Sequence, residues 1–460
     1  MKEVLRDALE GLDVDYADIR FDEERKTQIT LSNGRAEKVA VFSPRGGHVR
    51  AVVNGAKAIA SFSRIEDARK TAEETAAAAR AASGHCKTPI RLAEAPVIDR
   101  DFAISSGMDP RTVPLAEKHD LLAHYDGIAT AVPEVLMTQF MYEDSFGHRG
   151  FANTEGTTVS HEHLISHILG IVVGRRGDAV RRAYFAIGGS SDYGKLLDRE
   201  ELLRQSLNEL DELLSAQPAV AGVHPVVLDW YGAGVFIHEA FGHMSEADLV
   251  THEPMLREHL ALGADIASPI LNVVDDPTIP DRGGTYTVDD EGVLGQRTSL
   301  ITEGRVSGRL HSRETAAALG EPITGHCRAS DAGYEPVIRM SNTVIEPGAS
   351  TLDDIIASIE DGYYIAGGAG GQGGIDFTFG ARWARRIRNG QLGEMVSDAN
   401  LSGNLFTTLK GISMVGDDQR LFEYCDCGKG SSDGVQMTTR ICAGAPHIRI
   451  DAVTVGGVSE

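Results

Sequence analysis

The sequence predicts an α+β protein of two domains: a mixed α/β amino-terminal domain over residues 1–220 and a sheet-rich carboxyl-terminal domain over 221–460 that carries the candidate metal site. Three observations lead there. Short runs of alternating apolar and polar residues, separated by Asn-Gly turns, open the chain as antiparallel strands. Leucines at helical spacing close the first half. At 460 residues the chain exceeds the ~250–300 at which one core stops growing, so it divides.

Met1 to Glu10 is a charged amphipathic helix. Ala17 to Phe21, Thr27 to Leu31, Lys38 to Phe42 and His48 to Val53 alternate as strands, and Asn33-Gly34 and Asn54-Gly55 supply hairpin turns. An alanine-rich helix runs from Ile65 to Ala82, followed by an irregular stretch marked by Pro89, Pro96, Pro110 and Pro114. More strands run from Glu134 to Ala186. Leu203, Leu207, Leu210 and Leu214 then define a helix that opens at Asp198 and closes near Gln217-Pro218, which places the domain boundary between Pro218 and His224. Beyond it, Val337 to Val344 and Ile448 to Val455 read as strands. The segment Ala366 to Ile375 is rich in glycine but lacks the Lys-Ser/Thr of a P-loop, so it reads as a flexible loop near the substrate.

Composition excludes several classes of function. Lys plus Arg at 44 against Asp plus Glu at 67 gives a net charge of −23, which repels nucleic acid and anionic membranes. Nothing approaches the ~20 apolar residues of a membrane span, and the amino terminus lacks the basic-then-apolar order of a secretion signal, so a cytoplasmic protein is expected. Five cysteines (Cys86, Cys327, Cys425, Cys427 and Cys442) are an odd number in a long chain and argue against a disulfide framework. Three of them cluster near the carboxyl end, where a soft metal ligand can come from.

The chemistry concentrates in His238-Glu-Ala-Phe-Gly-His243, directly after the apolar run Pro225 to Leu228. Two neutral imidazoles are good zinc ligands, and a glutamate beside the first can take a proton from water activated by the metal. The familiar zincin spacing of four leaves two histidines roughly 40° apart on a helix; a spacing of five spreads them to roughly 140°. The backbone must therefore leave the regular α-helix. Either a one-turn π-bulge widens it, or the helix stops at Gly242 and His243 returns from the cap; the bulge is the expected form, with Gly242 tolerating the distortion. Among 16 histidines, chance His-Glu pairs are expected. His161-Glu162 belongs to Val159–Val173, which offers His163 and His167 at zincin spacing but reads as a strand with His161, His163, Ile165 and His167 on one face. His252-Glu253 precedes Pro254 in a polar stretch and reads as solvated surface.

In order along the second half, Pro225-Val-Val-Leu-Asp229, His238-Glu-Ala-Phe-Gly-His-Met-Ser-Glu-Ala-Asp248, Val288-Asp-Asp-Glu-Gly292, Ser341-Asn-Thr343, Ile412-Ser-Met-Val-Gly416, Cys427-Gly-Lys429 and Val453-Thr-Val-Gly-Gly457 resemble the TldD/PmbA family of zinc metallopeptidases, long labelled modulators of DNA gyrase. Val14-Asp-Tyr-Ala-Asp18 is similar to its amino-terminal domain. The intact His-Glu-x-x-x-His resembles the TldD-like branch; the PmbA-like branch, also called TldE, lacks it. The resemblance implies that His238 and His243 bind Zn2+, that Glu239 is the general base, and that Cys427 is the third ligand. The residues alone leave Cys425, Cys427 and Cys442 open. Cys425 departs from the family pattern as a competing ligand or a space-filler, and Cys442 suits a buried apolar role. The resemblance further implies unfolded or modified peptide substrates, taken as an added strand into a chamber shared with a PmbA/TldE-like paralogue in a heterodimer, or with a second copy in a homodimer. Departures at His326-Cys327 and around Gly370 bear on the substrate. Alternative readings are an amide hydrolase of secondary-metabolite or peptide-antibiotic maturation, a non-catalytic partner-binding subunit, and a redox protein centred on Cys425-Asp426-Cys427.

Overall fold

The computed structural model describes residues 1–330, 332–368, 371, 372, 374–430 and 436–457. The fold is α+β with sheet-rich units, as its residue pattern predicts. In chain order the first half contains α1 Lys2–Leu9, β1 Tyr16–Ser32, β2 Arg35–Phe42, β3 Arg45–Val53, β4 Ala56–Phe62, α2 Ala68–Ser83, β5 Asp99–Phe102, α3 Leu115–Thr130, β6 Val135–Asn153, β7 Thr158–Arg176, β8 Ala179–Ser190 and α4 Glu200–Ser215. The strands form one sheet in the order β4-β3-β1-β6-β7-β5, with β2 also paired to β1 and β8 to β7. Asn33, Gly34, Asn54 and Gly55 all take positive φ, the backbone that a two-residue hairpin turn demands.

The two faces of this sheet differ in chemistry. One packs the helices: α1 and α2 lie on Ile19, Phe21, Val49 and Ala51, while α3 and α4 lie on Ile29, Leu31, Phe140 and Ile168. Leu203, Leu207, Leu210 and Leu214 of α4 are buried there, each contributing about 2 kcal/mol. That burial exceeds the ~1 kcal/mol of a good N-cap, and α4 forms without a side-chain cap. The other face is ionic. Arg50 bridges Asp18 to Glu291 at 2.5 and 2.7 Å, and Arg149 bridges Asp22 to Asp290 at 2.7 and 2.5 Å. These pairs couple the sheet to the 288–291 loop of the second half. Part of the same face walls a cavity of about 630 Å³ with residues 280–290.

One expectation for the first half is revised and one element is added. The separate strands expected at Ala17–Phe21 and Thr27–Leu31 are one continuous strand, β1. In its charged middle, Asp22 to Lys26, every second residue meets a partner on the ionic face: Asp22 pairs with Arg149, and Glu24 with Lys26 and His163. Helix α3 follows the proline-marked stretch, in residues before Glu134 for which the sequence reading gives no element. Its inner stripe is Lys118, Leu122, Tyr125, Asp126 and Ala129. Lys118 pairs with Asp144 at 2.6 Å and Asp126 accepts from the Gly34 amide at 2.6 Å, so two of five buried positions carry charge and hide the apolar period.

Among the described residues the second half holds a ten-stranded sheet, a seven-stranded sheet and a two-stranded ribbon. Strand Gly222–Leu228 runs through the first of these, antiparallel to Ile448–Gly456 and parallel to Asp361–Ala366. Buried on both faces, Val226, Val227 and Leu228 suit that central position. Gln217–Pro218 also joins this sheet, pairing with Gln391–Ser397. The seven-stranded sheet includes Val273–Asp275, Asn342–Ile345 and Gln436–Ala445. In the glycine-rich segment, Gly371–Gln372 is a short strand paired with Asp376–Gly380, not a loop; Ala369, Gly370 and Gly373 lie outside the described residues. Among the described residues no helix is long and apolar enough to cross a membrane.

Candidate metal centre

Helix α5, Trp230–Ile237, starts where the central strand Gly222–Leu228 ends. Asp229 caps it, accepting from the Gly232 amide at 2.6 Å and from the Gly367 amide at 2.9 Å. The cap thus fixes the start of the helix against the sheet. Phe236, Ile237, Ala240 and Phe241 are buried in the main core, so the rest of the turn cannot rotate freely. From His238 to Gly242 the backbone is π-helical, and the His243 amide donates to the His238 carbonyl. The widened turn is the form expected from the five-residue spacing. Gly242 is needed for a different reason than expected: it sits at φ −53° and ψ −51°, open to any residue, but a Cβ there would overlap the Met340 sulfur.

This turn brings the two imidazoles together, their centroids 5.1 Å apart with planes at 70°. Strand Cys425–Gly430 pairs with Gln436–Ala445, setting Cys427 opposite Thr439. Cys427 Sγ lies 3.2 Å from His243 Nε2. One ligand atom from each of His238, His243 and Cys427 lies within 4.8 Å of the others, and no other such group of His, Cys, Asp and Glu occurs among the described residues. Glu239 Oε2 stands 4.0 Å from His243 Nε2. The Glu239 side chain is 36% exposed and that of His243 23%, so solvent reaches the cluster.

The electrostatics suit a cation. Burial raises the Cys427 thiol, but the facing His238 and His243 more than offset this and hold it at about 6. For His243, burial works against the proton, while Cys427 and Glu246 raise its pKa to about 10. Both shifts favour the form in which Cys427 carries the negative charge a metal ligand needs. His238 Nδ1 is buried with no hydrogen-bond partner. Two imidazoles, a thiolate and one side open to solvent are the donor set of a catalytic zinc site, so the residues fit the ion.

The rival segments are placed elsewhere. His161, His163 and His167 lie on β7, and His161 and His163 line the cavity on the ionic face. Cys425 is outside the three-residue group, and burial raises its thiol to about 12. Cys442 is fully buried, its Sγ 3.1 Å from the Phe422 carbonyl, which matches its expected structural role. His326 and Cys327 are core residues: His326 Nε2 meets Asp275 at 3.0 Å, and the Cys327 amide donates to Asp289. The side chain of His252 lies outside the described residues.

Sequence reasoning passed over Glu246, Lys429 and Arg339. Glu246 is fully buried, with Oε2 3.4 Å from His243 Nδ1 and 2.8 Å from Lys429 Nζ. The signal is present, since Glu246 and Lys429 stand inside the two segments that supply the cluster, but nothing in the residues pairs one with the other.

Comparison with known proteins places this geometry. Family models for the PmbA/TldA metallopeptidase match three stretches: domain 1 over residues 17–83, the central domain over 109–215 and the C-terminal domain over 221–457. The chain belongs to the PmbA/TldD metallopeptidase family. It is 35% identical to a metalloprotease of Synechocystis sp., over 96% of this chain and 95% of that one. A metalloprotease TldD homolog of Haemophilus influenzae is 30% identical, covering 98% and 95%. A zinc metalloprotease TldD homolog of Saccharolobus solfataricus is 25% identical, covering 97% and 98%. Among solved structures, TldE of Thermococcus kodakarensis superposes with a TM-score of 0.78 at 19% identity over 99% of both chains, a likeness of fold alone. As a PmbA/TldD metallopeptidase the chain is an enzyme of the peptidase class, and the family implies a metal.

Proposed function

We propose that this PmbA/TldD protein is a zinc-dependent peptidase in which His238, His243 and Cys427 hold Zn2+ and Glu239 is the general base, acting on peptide or related amide bonds of unfolded or modified peptides. The observation that carries this reading is the convergence of three ligand-type side chains, two from a π-turn and one from a strand at the far end of the chain, within 4.8 Å. When bound, zinc supplies Lewis acidity toward water and toward the scissile carbonyl.

The chain's own residues do the rest. Glu239, on the same turn as the ligands, is placed beside His243 and is open to solvent, so it can accept the proton of the attacking water and return it to the leaving amine. Cys427 enters as a thiolate, which brings the three-ligand set to one negative charge and leaves the loaded centre near +1. A substrate strand adding to a sheet edge near the cluster would be read through its backbone, which suits broad sequence tolerance. A TldE-like paralogue is the proposed partner, supported by the shared fold with TldE. We also take the chain to divide between Pro218 and His224.

The deciding experiment is metal analysis of the purified chain, alone and with a TldE-like partner, followed by incubation with an unfolded peptide. Close to one zinc per chain, and cleavage that stops on chelation and returns with zinc, is the expected result. A chain that binds no metal in either setting, or cleaves equally after chelation, overturns the proposal.

A further inference from the structure

The two imidazoles of the cluster are supported differently from behind. His238 Nδ1 is buried and has no hydrogen-bond partner. His243 turns Nε2 toward Cys427 Sγ, and its far nitrogen, Nδ1, faces Glu246 Oε2 at 3.4 Å. Glu246 has no exposed surface, and its carboxylate is met by three basic side chains, His243, Lys429 and Arg339. Lys429 Nζ lies 2.8 Å from Glu246 Oε2 and also donates to Asp248 at 2.8 Å and to the Ile338 carbonyl at 3.2 Å. Arg339 Nε stands 3.9 Å from Glu246 Oε1, and the same guanidinium donates to the Cys427 carbonyl at 2.8 Å.

These contacts join both ligand-bearing segments. Glu246 lies three residues after His243 and Lys429 two after Cys427. Arg339, from a third segment, reaches the backbone of Cys427 itself. One buried carboxylate therefore links the turn carrying the histidines to the strand carrying the cysteine, beside the Lys429–Asp248 pair that joins the same two segments.

We propose that Glu246 is a positioning residue for the metal: it keeps the proton of His243 on Nδ1, aims the Nε2 lone pair at the ion, and through Lys429 and Arg339 holds Cys427 at ligand distance. The inference rests on reading the cluster as the metal centre. The chemical reason is that a neutral imidazole has one donor and one acceptor nitrogen, so whatever accepts from one nitrogen decides that the other carries the lone pair. Carboxylates behind metal-bound histidines have this effect, and removing them lowers metal affinity about 10–100-fold. His238 has no such partner, so the effect is specific to one ring.

The alternative is that Glu246 merely fills an ion cluster that docks the strand, in which case its loss costs fold stability and not metal affinity. The test uses the full chain with zinc alone, measured by competition against a chelating dye, and with cobalt(II) as a spectroscopic substitute. Glu246→Gln is expected to weaken zinc binding about 10–100-fold and to alter both the ligand-field bands and the Cys427 thiolate-to-cobalt absorption of bound cobalt. Because Glu246→Gln leaves Lys429 short of an anion inside the protein, Glu246→Gln/Lys429→Met, which removes the pair together, is measured as well. The same 10–100-fold loss is expected for it, and it decides the matter if the single variant does not fold. Wild-type affinity in either folded variant, whatever its melting temperature, overturns the assignment of Glu246. Failure of the wild-type chain itself to bind zinc or cobalt overturns the metal-centre reading, and this inference with it.

Discussion

The chain has two histidine-rich segments, and they have opposite fates. On β7, His161, His163 and His167 follow the two-residue period of a strand and are spread along it. In the turn after α5, His238 and His243 are five apart and converge because the helix widens under them. The surroundings differ as much as the geometry. His167 stacks on Tyr424 at 3.7 Å, and burial drives its pKa down to about 3, while His243 beside Cys427 and Glu246 is raised to about 10. A histidine becomes a ligand candidate when other donors are brought to its nitrogen; density of histidines in sequence does not by itself achieve this.

The sharpest way to break the contrast is to remove the donor that only one segment has. Cys427→Ala is expected to abolish metal retention and peptide cleavage, a loss exceeding the ~100-fold typical of an outer partner. Metal analysis after gel filtration checks it, and a variant that keeps its zinc would remove the thiolate from the centre. Next in size, Glu239→Gln is expected to lower kcat by about 10²–10⁴ with metal content unchanged. Joint loss of metal and activity would make Glu239 a ligand or a structural residue, and unchanged cleavage would require another base.

The β7 segment gives the counterpart. His163 Nε2 lies 3.1 Å from Glu24 Oε1 across the ionic face, and burial together with that network governs both groups. His163→Gln should leave zinc binding untouched and destabilise the fold by about 1–3 kcal/mol, the usual cost of an unsatisfied buried group, toward the low end because Lys26 still pairs with Glu24 at 3.0 Å. Urea denaturation measures the stability loss. Loss of metal in this variant would erase the distinction between the two segments.

Much of this is legible in the residues. Asn-Gly pairs mark the hairpins, and the spacing of Leu203, Leu207, Leu210 and Leu214 marks α4, because those signals are local. A spacing of five between His238 and His243 is enough to demand that the helix leave the α-form if both rings are to meet one ion, and of the two ways to do so the structure takes the π-turn. What the sequence hides is long-range pairing. Charges in β1 and in α3 look like loop until their partners on other strands are known. Cys425 and Cys427 are equivalent in sequence, yet a step of two along a strand moves a thiol about 7 Å, and only Cys427 falls within the group of donors. Glu246 and Lys429 likewise acquire meaning only when the fold sets one beside the other.

The smallest expected effect lies in acid stability, and it distinguishes buried structural histidines from those at the centre. His48 and His167 are 3% and 1% exposed, and burial lowers both to about 3 from 6.5. The folded chain therefore refuses protons that the unfolded chain accepts below about pH 6.5. Their contribution to stability is whole above that value and erodes as the pH falls, so acid should begin to weaken the fold below about pH 6.5. For one such histidine, moving from pH 7.5 to 6.0 removes about 0.8 kcal/mol. His167→Phe keeps a ring on Tyr424 while deleting the titration, so its urea midpoint should decline less than that of the wild type over the same interval. Parallel declines would mean that His167 accepts its proton in the folded state, and the contrast between a buried strand histidine and a ligand histidine would then rest on geometry alone.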